Sequence, residues 1–93
     1  AHYVAGLTNP DAAIRLAAAE VLGETGAGEA ADPLVRALAD ADMAVVSQAS
    51  ESLVRLGDVA VPSLREAAKG SNKMVRESAA WCLQQIGKTS TTG

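Results

Sequence analysis

The 93-residue chain has no phenylalanine, and its only aromatic residues are one tyrosine and one tryptophan. Its interior must be filled by aliphatic side chains, and alanine supplies much of an apolar fraction of 48%. Alanine costs little side-chain entropy and lets backbones approach, so this composition suits helices packed at short range. A single cysteine excludes an internal disulfide and points to a reducing, cytoplasmic setting. The single histidine, His2, lies near the terminus and reads as a surface residue; alone it excludes a His-based metal cluster or triad. Lysine and arginine number 8 against 11 aspartates and glutamates, a formal net charge of −3. That balance argues against non-specific nucleic-acid binding, which needs a clustered basic surface. No apolar run approaches the roughly 20 residues that cross a bilayer. The opening "AHYVAGL" has neither the charged region nor the apolar stretch of a signal peptide. Neither nucleic acid nor membrane is therefore expected as a partner. The missing initiator methionine points to a piece of a longer chain.

What the sequence does contain is internal repetition. Aligning Gly26, Gly57 and Gly87 brings the rest into register at spacings of 31 and 30 residues. Ile14, Val45 and Val75 coincide, as do Ala18, Ala49 and Ala79, and Leu22, Leu53 and Leu83. Thr25, Leu56 and Ile86 come next, while upstream Asp11, Asp42 and Asn72 match, as do Leu7, Leu38 and Ala68. The register holds over nearly the whole chain.

Each unit reads as two helices. In "NPDAAIRLAAAEVLGETG" Asn9 is the expected N-cap, with Pro10 at the first helical position, where its missing N–H does no harm. Ile14, Ala18, Val21, Leu22 and Thr25 recur at helical spacing, and Gly26 suits a C-terminal cap. The second unit repeats the pattern from Asp40 to Gly57 and the third from Ser71 to Gly87. Shorter helices lie between: "DPLVRALA" starts at Asp32-Pro33, and "VPSLREAAK" carries Pro62 near its start. A matching first helix, "HYVAGL", completes a set of six. Ala18, Leu22, Ala49, Leu53, Ala79, Leu83 and Ile86 are expected to be buried between stacked helices, with Cys82 beside them.

The stretches "NPDAAIRLAAAEVLGETG", "DADMAVVSQASESLVRLG" and "SNKMVRESAAWCLQQIG", each after a short helix, resemble the HEAT-like repeat of the phycobilisome-lyase type. The resemblance implies an all-α fold, an α-solenoid (alpha-alpha superhelix) of three helix-pair repeats. On this reading the repeats cover residues 1–26, 27–57 and 58–87, and a disordered tail covers 88–93. The resemblance also implies a polar ladder of Asp and Arg between adjacent repeats. Asp11 and Arg15 match it in the first unit, Asp42 in the second and Arg76 in the third. Val46 replaces the second Arg and Asn72 the third Asp, so the ladder is incomplete and Arg15 is left to supply charge to Asp42. Stacking and solubility, rather than catalysis, are the roles these residues fit. The repeat is specific as to fold and nearly silent as to activity.

The search for chemistry returns negatives. Deoxyhypusine hydroxylases also use HEAT-like repeats, but they need His-Glu pairs for a di-iron site, and this chain has none. "GKT" at 87–89 evokes a phosphate-binding loop, yet G-x-x-x-x-G-K-[ST] would require glycine where Cys82 stands, and no strand precedes it. Cys82 aligns with Val21 and Ser52 on the buried face, which favours an inert packed thiol over a nucleophile. No catalytic, cofactor-binding or metal-binding residue is expected, and no cofactor.

Trp81 is the exception to this bland pattern. It aligns with Glu20 and Glu51, on the side of the helix away from Ile14, Ala18, Val21, Leu22 and Thr25. Second helices of such pairs line the concave surface of a HEAT-type stack, the usual binding face. Neighbouring slots hold Ala13, Leu16, Ala44, Ser47, Val54, Met74, Glu77 and Gln84. Leu16, Val54, Met74 and Trp81 are therefore expected to be exposed and interleaved with Glu20, Glu51 and Glu77. Trp81 either anchors a partner there or covers the open end of a short array. Two function classes remain open. The first is a non-catalytic protein-interaction or scaffolding module whose protein partner carries an apolar anchor flanked by Lys or Arg. The second is a component of a bilin lyase or isomerase, although only three repeats and no evident bilin-handling cluster are present. The open repeat ends offer a route to self-association.

Overall fold

The computed structural model describes residues 6–26 and 28–91, and five helices run through them. They are α1 (Ala12–Thr25), α2 (Ala31–Ala37), α3 (Met43–Leu56), α4 (Val61–Ala67) and α5 (Lys73–Thr91). Short 3₁₀ turns over Gly28–Ala30 and Gly57–Ala60 lead into α2 and α4. No strand occurs among the described residues. The helix expected over residues 2–7, with His2, lies almost wholly outside them.

The long helices begin later than the sequence pattern places them, because two short polar side chains compete at each start. Asp11 and Asp42 are the N-caps, not Asn9 and Asp40. Asp11 Oδ1 accepts the Ala13 N–H at 2.9 Å, and Asp42 Oδ1 accepts the Ala44 N–H at 2.8 Å. Asn9 and Asp40 act one step earlier: each Oδ1 accepts the N–H of the residue two further on, at 2.8 Å. That contact is an Asx turn, which bends the chain before the cap takes over. In the third unit Ser71 is likewise not the cap; Asn72 Oδ1 accepts the Val75 N–H at 3.2 Å, and α5 starts at Lys73.

Gly26 and Gly57 end α1 and α3 with φ of 69° and 70°, the left-handed region that glycine enters without steric cost. Gly87 does not end α5, which continues to Thr91. A helix-interior glycine costs only ~1 kcal/mol relative to alanine. After Gly26 and Gly57 a 3₁₀ turn folds the chain back at once; after Gly87 no described element does so, and Lys88 lies favourably in the last turn. The expected tail over 88–93 is thus corrected for residues 88–91, which are helical; residues 92–93 lie outside the described residues.

The long helices form one layer, α3 packing on both α1 and α5, and the short helices form a second, with α2 against α3 and α4, and α4 against α5. The whole measures 38 × 28 × 19 Å. Leu34, Leu38, Val45, Leu53 and Leu64 are fully buried between the layers, with small residues such as Ala19, Ala49, Ala60 and Ala79 where backbones approach. The same contact recurs at both seams of the long-helix layer. Ser52 Oγ of α3 donates to the Ala19 carbonyl of α1 at 2.7 Å, and Cys82 Sγ of α5 donates to the Ser50 carbonyl of α3 at 3.5 Å. Ser52 and Cys82 share a register position, as do Ala19 and Ser50, so the seam repeats with a thiol in place of a hydroxyl.

Of the expected core, Ala18, Leu22, Ala49, Leu53, Ala79, Cys82 and Ile86 are buried. Leu83 is only half-buried, since no described helix packs outside α5. Ile14, expected to face the core like its counterpart Val45, is 45% exposed on the outermost described long helix, α1.

Candidate partner-binding groove

The groove lies along the seam between α3 and α5. Met43, Val46, Ser47, Ser50 and Glu51 of α3 form one wall and its floor, Ser78 and Trp81 of α5 form the other wall, and the space between is about 400 Å³. Helical spacing explains the set: Met43, Ser47, Ser50 and Glu51 recur at three- and four-residue intervals, as do Ser78 and Trp81. Trp81 is 46% exposed and Met43 57% exposed, whereas Val46 beneath them is buried. Two large exposed apolar residues thus flank a floor on which buried Val46 lies beside Ser50.

The expected site residues divide three ways. Trp81 and Glu51 line the groove. Met74 and Glu77 are exposed on α5 at seven and four residues before Trp81, so they extend its wall along the same helix face. Leu16, Val54 and Glu20 are not part of it. Glu20 is exposed on α1, beyond α3. Leu16 and Val54, expected to be exposed, are half-buried and pack against the core. Val54 shares the register position of Gly23, the slot that meets the next long helix, so it fills a seam rather than a surface. Leu16, seven residues before Gly23 on α1, likewise packs against the core.

Met43 and Val46 are groove residues that the helical pattern alone does not single out. Met43 opens α3 in a slot filled by Ala12 and Lys73 in the other units, a contrast that the alignment contains. Val46 reads as a gap in the polar ladder, yet in place it is the apolar floor.

The ladder itself has a different geometry from the one expected. Arg15 pairs with Asp40, not Asp42: its Nε donates to Asp40 Oδ2 at 2.8 Å and its Nη2 to Oδ1 at 3.1 Å. Its Nη1 also donates to the Asn9 and Pro10 carbonyls at 2.8 and 3.0 Å. The hydrogen bonds from Arg15 hold the Asp40 carboxyl below its ordinary range, against some desolvation. The same partner raises the Arg15 guanidinium. This bidentate pair fastens the first unit to the second.

Cys82 is fully buried, and burial pushes its thiol up to about 11. A thiol so placed is overwhelmingly protonated at neutral pH and cannot act as a ready nucleophile. The "GKT" stretch lies within α5 rather than in a loop. Among the described residues no three His, Cys, Asp or Glu side chains are grouped to hold a metal ion, and no helix is long and apolar enough to cross a membrane. A second hollow of about 490 Å³ lies between α2 and α4, but its rim mixes Asp32, Arg36 and Glu66, and Ser63 Oγ already donates to Asp32.

No curated protein matches the chain. A family model for HEAT repeats matches residues 1–84. Since that match spans nearly the whole chain, and the paired helices stack in the layered order such repeats require, the chain belongs to the HEAT repeat family.

Proposed function

We propose that the chain is a protein-interaction and scaffolding module, without catalysis of its own, that seats a partner segment in the α3–α5 groove. HEAT repeats commonly serve as interaction scaffolds. The observation that carries the reading is the pairing of exposed Trp81 and Met43 across the buried Val46 floor. Half-exposed aromatic side chains beside an apolar floor are the kind of anchor that dominates binding energy. Lys88 lies two turns beyond Trp81 on the same helix, while Glu51 and Glu77 beside the groove, with Glu20 further off on α1, give it acidic neighbours. A segment with one apolar anchor flanked by Lys or Arg complements it, the charges acting mainly on encounter rate. The units are three, at 1–26, 27–57 and 58–87, of the phycobilisome-lyase type that their Asp, Arg and Ala-Ala pattern resembles. The single buried, unpaired thiol supports a cytoplasmic setting.

The test uses a labelled synthetic peptide with a central leucine flanked by lysines, titrated into the intact protein and followed by fluorescence anisotropy. Saturable binding that weakens at least tenfold in Trp81→Ala, with the fold kept by circular dichroism, is the expected result. Equal binding of a glutamate-flanked counterpart, or unchanged affinity in Trp81→Ala, would remove the groove. Phycocyanobilin binding with a shifted absorption band, in place of peptide binding, would favour the alternative of a bilin lyase or isomerase component.

A further inference from the structure

We propose that Met43 is a modification site: oxidation of its thioether to the sulfoxide weakens the hold of the α3–α5 groove on an apolar anchor, and reduction restores it. The inference rests on the partner-binding reading of that groove. Sulfur is scarce in the chain, at two methionines and one cysteine, and its placement is uneven. Methionine is among the residue types most often fully buried. Here Met43 is 57% exposed and Met74 41% exposed. Met43 lines the groove, and Met74 lies two turns before Trp81 along the opposite wall.

The only thiol is placed the other way. Cys82 is fully buried, and its Sγ donates to the Ser50 carbonyl. Burial keeps it protonated, whereas cysteine oxidation follows thiolate character and exposure. All of the sulfur that a dissolved oxidant reaches therefore stands along the groove walls. Position 43 corresponds to Ala12 and Lys73 in the other units, and Met43 opens α3 outside the core cluster. A change of its side chain accordingly alters the groove and leaves the packing intact.

The step is a two-electron oxygen transfer from a hydroperoxide. A lone pair of the Met43 sulfur attacks the outer peroxide oxygen, the S–O bond forms and the O–O bond breaks. The sulfur is oxidised, and the peroxide is reduced to water or, from an organic peroxide, to its alcohol. In the return step a dithiol is oxidised to a disulfide and the sulfoxide oxygen leaves as water. The thioether is apolar and adaptable, while the sulfoxide is polar and chiral. A leucine anchor seated against the sulfoxide strips water from its oxygen and offers no donor in return, and burying an unpaired polar group is costly. Glu51, on the same wall, only accepts hydrogen bonds when ionised.

The test treats the intact protein with dilute hydrogen peroxide, removes the excess with catalase, and locates the added oxygen by mass spectrometry of proteolytic fragments. The leucine–lysine peptide is then titrated by fluorescence anisotropy. Oxygen should appear at Met43 and Met74 but not at Cys82, with circular dichroism unchanged and affinity lowered roughly fivefold or more. Methionine sulfoxide reductases for both epimers, with dithiothreitol, should return the affinity to its starting value. Met43→Leu, whatever affinity it starts from, should change less than about twofold on treatment, whereas Met74→Leu should lose about as much as wild type. Equal binding before and after oxidation at Met43, or an equally large loss in Met43→Leu, would overturn the proposal while leaving the groove standing. Loss of the fold on oxidation would overturn it too. No saturable binding by the untreated protein would remove the groove reading and this inference with it.

Discussion

Replacing Gly23 with alanine asks how closely α1 and α3 must approach. A Cβ at this position would lie 2.5 Å from both Cβ and Oγ of Ser52 and 2.8 Å from its Cα. The last of these is backbone, so no rotamer change at Ser52 can relieve the contact and the helices must move apart. Overpacking of this kind costs ~1–3 kcal/mol. If Ser52 is displaced, its 2.7 Å hydrogen bond to the Ala19 carbonyl is lost as well, a further ~1 kcal/mol. Against this stands the gain of ~0.5–1 kcal/mol that alanine brings to a helix interior relative to glycine. The net expectation is a loss of ~1–3 kcal/mol, each kcal/mol lowering Tm by about 4–8 °C in a domain of this size. Thermal and urea unfolding followed by far-UV circular dichroism reads it directly. Gly87→Ala is the matched control: it lies inside α5, its added Cβ would meet nothing within 4 Å, and it should stabilise by ~0.5–1 kcal/mol. A Gly23→Ala protein as stable as Gly87→Ala would refute the close seam.

Leu53→Ala, at a fully buried position in the central long helix, should cost ~2–5 kcal/mol, and an unchanged denaturation midpoint would show the repeat register to be wrong. Arg15→Ala should lower the thermal midpoint more than Arg76→Ala, because only Arg15 holds a carboxylate; equal effects would dissolve the argument. Asp40 ionises more readily in the fold than its ordinary 3.8, so its stabilisation is present at neutral pH and is lost as the pH falls below that value through the folded pKa. Asp40→Asn should therefore flatten that part of the acid-unfolding curve, and an unaltered curve would count against the pair. Cys82, with its thiol pushed up to about 11, should react with a thiol reagent only as fast as the protein opens; rapid native-state labelling would contradict its burial.

The fold is legible in the sequence because its signal is redundant. Three copies of one pattern agree on helix number, pairing and core face, so errors in one unit are outvoted by the others. Starts and stops carry no such redundancy. Asn9 and Asp11, or Asp40 and Asp42, are residue types equally suited to an Asx turn and to an N-cap, and only the hydrogen-bond geometry divides the two tasks. Gly57 and Gly87 are the same residue at the same register position, yet one takes φ of 70° and the other stays helical. The difference lies in the next stretch of chain, a 3₁₀ turn after Gly57 and a continuing helix after Gly87.

The groove is half legible for a related reason. Trp81 stands out because it occupies a slot that holds Glu20 and Glu51 elsewhere, and the helical period places that slot outward. Leu16 and Val54 satisfy the same period but pack against the core, and a wheel drawn for one helix cannot say where the next helix sits. Val46 is harder still to read. As a ladder position it is a loss, an arginine that failed to appear. In the fold, arginines at this position reach back to the turn before their own helix, as Arg15 and Arg76 do, and the middle unit has no such strap. What replaces it is a buried branched side chain between Met43 and Trp81. The one unit that gives up its arginine is therefore the one that gains an apolar groove floor. A reading that scores each repeat by fidelity to the pattern will pass over such a site, because the departure from the pattern is what forms it.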